Sequence, residues 1–275
     1  MKLPNWVIPG SAVLLSAACA LLQSPIEQTR SMAAGAGFSP LELPDKRLRG
    51  FAKRVPASLT PKRLTVYLES DGAPWRMPDE PPYDPTPHKP MVLGMAIADS
   101  SDAVAYLGRP CQYLEPAELA QCDPALWMLG RFSEDAVAVM DAAVSRIKKN
   151  YGAAEVNLVG YSGGGSMAAL VAARRNDISC LVTIAAPLDT NAWTTALKVS
   201  SLSYSLNPAD FAHKLAHVRQ THFRGRQDTL VPSATSQRFL GQVPDATVID
   251  KESYDHQCCW NDDWKGLRAE SCLNR

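Results

Sequence analysis

The chain has 275 residues, 46% of them apolar, with 28 basic and 28 acidic side chains and a formal charge of zero. Balanced charge removes the global field that draws proteins onto nucleic acid or anionic membranes, so no nucleic-acid partner is expected. About 240 residues would remain after a targeting segment, enough to bury one large core, and one domain is the default.

Lys2 precedes an apolar stretch from Trp6 to Leu22 that is interrupted by Pro9 and Gly10 and ends among the small residues Ser16 to Ala20. A positive start, a short broken apolar run and small residues read as a bacterial signal peptide over residues 1–20, since a membrane span needs about 20 predominantly apolar residues. Leu15-Ser16-Ala17-Ala18-Cys19 resembles a lipoprotein processing site, with Ser16 standing three places before the cysteine where leucine is usual. Lipidation at Cys19, which would give membrane association, and ordinary cleavage after Ala18 or Ala20 both fit, and an exported periplasmic or outer-envelope protein is expected either way. Residues 21–60, rich in Pro, Gly, Ala and Ser, read as a tether or irregular segment leading to a domain over 61–275.

Leu64-Thr65-Val66-Tyr67-Leu68 is a run of strand formers ending at the turn signal Glu69-Ser70-Asp71-Gly72. Residues 74–90 hold seven of the 21 prolines and predict an extended, irregular loop. Met91, Leu93, Met95 and Ala96 suit a short helix, and Ala103 to Leu107 a buried strand. Ser133 caps a predicted helix running to Asn150, with Val137, Met140, Val144 and Ile147 on one face and Arg146, Lys148 and Lys149 near its end. Strands at Glu155–Val159 and Cys180–Ala185, with a helix at Ser166–Arg175 between them, predict a doubly wound, mostly parallel α/β sheet. Residues 191–218 read as a small helical cap carrying Trp193, Leu197, Leu202, Tyr204 and Leu206, either a pocket wall or the inner face of ordinary helices. Gln220–Gly225 and Val248-Ile249 complete the strands.

Seven cysteines less Cys19 leave six, an even number suited to an oxidising compartment. Cys111 and Cys122 flank ten residues and can close a loop, Cys258 or Cys259 can bridge to Cys272, and Cys180 in its apolar run reads as a buried free thiol. If Cys180 is free, one of the other five is unpaired, so the connectivity stays open. Adjacent Cys258 and Cys259 lack the spacing of zinc ligands.

Gly160-Tyr161-Ser162-Gly163-Gly164 matches a nucleophile elbow, entered by the apolar strand Val156–Val159 and left by the alanine-rich run Met167–Ala173. A phosphate-binding loop or a plain tight turn is the other reading of the five residues. A serine hydroxyl needs a base, and the base needs an orienting group. Asp228 lies just past the 220–225 strand, and His256 lies in the loop after the last strand, 28 positions on. Asp189 is the alternative acid. His213 and His217, four apart, fit a metal pair less well than a solvated helix face, His222 falls in a strand, and His88 falls in the proline-rich loop. Two amides must hold an oxyanion, with Gly163 supplying one and Ala73, after Asp71-Gly72, the other.

The order Ser162, Asp228, His256 on alternating strands and helices resembles the α/β-hydrolase superfamily. Over roughly residues 62–264, the stretches Tyr67–Gly72, Asp84–Pro87, Gly108–Tyr113 and His256–Trp260 are similar to a group of proteobacterial envelope α/β-hydrolases without an assigned substrate. In that group Arg109, Cys111 and Tyr113 either line the pocket or stabilise a disulfide-closed loop. The resemblance implies an α/β-hydrolase fold with a helical cap, and an ester-type acyl substrate cleaved through acyl-Ser162, with no metal or organic cofactor. Amide or peptide cleavage, acyl transfer, and a non-catalytic envelope binding protein are the rival readings. Because His256 must be neutral to accept a proton, activity is expected to fall as pH drops through about 6–7.

Overall fold

The computed structural model describes residues 24–56, 60–73 and 80–274. The leader expected over 1–20 lies outside the described residues. Among the described residues, eight strands form one sheet in the order β1-β2-β4-β3-β5-β6-β7-β8. They are β1 (Phe38–Pro40), β2 (Gly50–Lys53), β3 (Arg63–Leu68), β4 (Val104–Leu107), β5 (Glu155–Tyr161), β6 (Ile178–Ile184), β7 (Arg219–Gly225) and β8 (Thr247–Lys251). From β4 through β8 every neighbouring pair is parallel, whereas β1 and β2 are antiparallel additions at one edge.

Strand alternation divides the core between the two faces of the sheet. Leu64, Val66 and Leu68 of β3 join Leu158, Val144, Ile147 and Met167 on one face. Tyr67 joins Val159, Val182, Leu93 and Trp264 on the other. The helices that cover these faces are α1 (Pro25–Gly35), α2 (Met91–Ala98), α3 (Glu134–Tyr151), α4 (Gly163–Ala172), α5 (Thr190–Leu197) and α6 (Trp264–Glu270), with shorter turns between. α3 forms as its sequence dictates. Ser133 accepts the Ala136 N–H, acidic residues fill the first turn and lysines the last, and Gly152 ends it in a left-handed conformation at φ 64°.

Three expectations are corrected. Within the segment read as a tether over 21–60, residues 24–53 instead build α1, β1 and β2, and Ala33, Phe38, Leu48 and Phe51 are buried. Strands of three and four residues beside prolines carry no periodicity to read; pairing Gly50–Ala52 antiparallel to Ala105–Leu107 is what orders them. The 191–218 cap is only partly helical, since 198–207 runs without helix between α5 and the turns Pro208–Phe211 and Ala212–Leu215. Finally, Cys180 is not a free thiol: it pairs with Cys272, and Cys258 pairs with its neighbour Cys259, while Cys111–Cys122 closes the expected loop. The tail turn after α6 brings Cys272 under β6, a contact 92 residues apart that local pattern does not encode.

Candidate active site

β5 delivers Ser162 into a sharp turn at φ 53° and ψ −127°, and α4 begins at the next residue. This is strained backbone for a residue with a side chain. The turn is possible because a Cβ on Gly160 would stand 2.2 Å from the Gly164 carbonyl oxygen, and one on Gly164 would stand 2.3 Å from that of Leu68. Only glycine permits strand and helix to approach so closely.

Asp228 follows β7, and its side chain is wholly shielded from solvent. Its Oδ1 accepts the N–H groups of Leu230 at 2.9 Å and Val231 at 2.7 Å, leaving Oδ2 to meet His256 Nδ1 at 2.8 Å. The loop after β8 carries His256, whose Nε2 lies 3.1 Å from Ser162 Oγ. Its carbonyl oxygen accepts the Tyr161 hydroxyl at 2.6 Å and the Trp260 indole N–H at 3.1 Å. The amides of Cys258 and Gln257 hold the Asp255 carboxyl below the usual carboxylate range and tighten the same turn. Three side chains far apart in sequence thus meet in one hydrogen-bonded row.

The other candidates are placed elsewhere. Asp189 caps α5, accepting the amides of Asn191 and Ala192 and the Asn207 side chain. His222 is buried between Thr183 Oγ1 and Gln220 Oε1, and burial pushes its pKa down to about 3. His88, His213 and His217 are exposed.

Gly163 opens α4, so its N–H is an orphan of the first helical turn beside the nucleophile. Ala73 does not join it, because its amide donates to the Pro85 carbonyl at 3.1 Å. The residue after β3 that does reach the elbow is Asp71: a Cβ on Gly163 would lie 2.0 Å from Asp71 Oδ1. The amides of Ser70, Gly72 and Ala73 are all engaged, whereas that of Asp71 has no acceptor among the described residues. Its carboxylate is held by two guanidinium groups, Arg109 Nη1 at 3.1 Å and Arg131 Nη1 at 2.9 Å. Burial alone would raise the Asp71 pKa, but Arg131 and Arg109 outweigh it and keep the group below its ordinary value. Behind it, burial lifts the Glu69 carboxyl to about 6 despite hydrogen bonds from the Ser70 amide and the Tyr106 hydroxyl. Sequence reasoning named Arg109 and placed Asp71 only in the turn before the expected donor Ala73; it missed Arg131 and the shared ion pair, which arise from contacts 38 and 60 residues apart.

Two hollows, about 610 Å³ around Phe51 and Tyr113 and about 500 Å³ between Tyr83 and Trp127, are lined by none of Ser162, Asp228 and His256. Neither is taken as the substrate cleft.

A family model described as the alpha/beta hydrolase fold matches residues 123–258, which include Ser162, Asp228 and His256. An esterase of Pyrococcus furiosus superposes with a TM-score of 0.62 at 14% identity, covering 88% of this chain and 95% of its own. Est1E of Butyrivibrio proteoclasticus gives 0.59 at 13% identity over 87% of this chain and 100% of its own. A puromycin-hydrolysing peptidase of Mycobacterium tuberculosis gives 0.58 at 14% identity, covering 85% of this chain but 39% of its own. Comparison with curated proteins finds no match. Sheet order, elbow and family match agree, and the chain has the α/β-hydrolase fold.

Proposed function

We propose that the protein is a serine hydrolase that cleaves a carboxylic ester through an acyl-Ser162 intermediate. The observation that carries this reading is the unbroken row from Ser162 Oγ to His256 Nε2 at 3.1 Å and from His256 Nδ1 to Asp228 Oδ2 at 2.8 Å. In it, His256 accepts the serine proton as Oγ attacks the substrate carbonyl, then returns that proton to the leaving alcohol. It next deprotonates the water that releases the acid. Asp228 holds the imidazole in the tautomer with the proton on Nδ1. The amides of Gly163 and, in place of Ala73, Asp71 hold the oxyanion, a contribution worth about 10²–10³-fold per donor. The three disulfides favour an oxidising compartment, in keeping with an exported protein.

A fluorophosphonate probe on the purified protein tests the nucleophile. Labelling is expected in the wild type and absent in Ser162→Ala; equal labelling of both would remove Ser162 from the reaction. A panel of short acyl esters, aminoacyl amides and long-chain lipids then reads the bond cleaved. Dominant turnover of the amides would replace the esterase reading with a peptidase one on the same residues.

A further inference from the structure

The nucleophile has a charged neighbour that the hydrolytic cycle does not use. Arg109 and Arg131 share a single carboxylate, Asp71, one oxygen each. Their side chains are only 4% and 11% exposed. Arg109 spends Nη2 on the Arg131 carbonyl, and its guanidinium lies 5.0 Å from the centre of the Phe132 ring. Its buried Nε has no partner among the described residues. Arg131 donates Nε to the Met128 carbonyl at 2.7 Å, and its Nη2 has no acceptor among the described residues. The Glu69 carboxylate makes no hydrogen bond to that nitrogen: its oxygens accept the Ser70 amide and the Tyr106 hydroxyl, and its charge acts on Arg109.

Asp71 serves both guanidinium groups and the nearby Glu69 charge also acts on Arg109, so Arg131 is the member of the cluster left with an unused terminal donor. A guanidinium N–H left without an acceptor on a side chain only 11% exposed is costly unless a ligand reaches it. Here it stands beside the reaction centre: Asp71 Oδ2 would lie 2.6 Å from a Cβ on Gly163, and Arg131 Nη1 is one hydrogen bond beyond it. The turn carrying Arg131 is fastened to the cap, with Leu206 N–H donating to the Phe132 carbonyl at 2.9 Å and Phe132 N–H to Ser205 Oγ at 3.0 Å. The guanidinium is therefore fixed before any ligand arrives.

Resting on the hydrolase reading above, we propose that Arg131 is a specificity-determining residue and that the substrate carries a carboxylate a few bonds from its scissile carbonyl, seated on the free Nη2. The planar fork offers that anion a charge-assisted hydrogen bond at little ordering cost. Arg109 positions Asp71, and Asp71 positions Arg131.

Two isosteric pairs test this by kcat/KM: monoethyl succinate against ethyl levulinate, with the charge on the acyl side, and acetoxyacetic acid against acetoxyacetone, with the charge on the alcohol side. The wild type is expected to favour the charged member of at least one pair by roughly tenfold or more, a preference typical of one charge-assisted hydrogen bond. Arg131→Gln should lower turnover of the charged member far more than of its neutral twin, and Arg131→Lys should retain part of the preference. Preference for the neutral member in both pairs, or equal losses on both members in Arg131→Gln, would overturn the proposal and leave Arg131 a structural clamp on Asp71. Calorimetry with Ser162→Ala protein separates this from the hydrolase reading. Tighter binding of monoethyl succinate than of ethyl levulinate, lost when Arg131→Gln is added, supports the anion subsite even if no ester turns over. Absence of any such preference in binding overturns it.

Discussion

Asp71 and Asp228 stand just beyond the ends of parallel strands, β3 and β7, on opposite sides of the strand that delivers Ser162, and both have lost most of their contact with water. Their partners differ in kind. Asp228 faces an imidazole, a group whose ring nitrogens can accept and return a proton. Asp71 faces two guanidinium groups that do not. One carboxylate can follow a proton through a reaction, while the other can only hold a fixed charge in place. The same residue type at matching strand ends thus acquires its use from whatever the neighbouring loops bring to it.

Substituting Asp228→Asn is the severest test of that contrast. An amide at this position would favour the wrong imidazole tautomer, and kcat on a saturating ester is expected to fall by about 10⁴-fold, as in other triads. Asp71→Asn should instead act mainly on thermal stability, with a far smaller loss of kcat. Equal losses of kcat would mean that the two flanks do not divide the work as proposed. Gly163→Ala comes next, because its methyl group would collide with an Asp71 carboxylate pinned by both arginines. Displacing the oxyanion amide should lower kcat by about 10²–10³-fold, with a stability cost of about 1–3 kcal/mol for overpacking. Normal kinetics in that variant would show that Asp71 is free to move away.

The smallest effect concerns Glu69. Burial gives the folded protein a carboxyl that holds its proton up to about pH 6, whereas the unfolded chain releases it near 4.5. Between those values the native state binds more protons, so its stability falls as pH rises and stays reduced above pH 6. The size of this loss is on the order of 2 kcal/mol. Glu69→Gln is expected to flatten that interval and to melt later than the wild type at neutral pH, read by urea denaturation at several pH values. A variant that keeps the full slope would place the titrating group elsewhere.

Legibility in the sequence followed the range of the interactions involved. The α3 helix declared itself through its cap, its apolar stripe and its terminal charges, all within one 18-residue stretch. Ser162 was marked by close-packed glycines, and Asp228 and His256 by their position after strands of strong β-formers. The edge strands β1 and β2 escaped because each is too short to show a period and is ordered only by β4. Ala73 was the expected second donor by analogy, but the Pro85 carbonyl claims its amide, a contact from within the proline-rich loop that no spacing rule anticipates. Arg131 offered no local signal at all, since its meaning lies in Asp71, 60 residues away.

The Cys180–Cys272 bond ties the covering of one sheet face to residues far along the chain. α6 lays Trp264 and Leu267 on the face of the sheet that includes Tyr67, with the Trp264 indole N–H 3.1 Å from the Tyr67 hydroxyl, and the turn after it hooks Cys272 onto β6. Without these residues, a chain that has made every strand still has an uncovered apolar surface. Such a chain has its reactive row in reach but no lid on its underside, and a product interrupted before Trp264 should be sticky and quickly degraded rather than partly active.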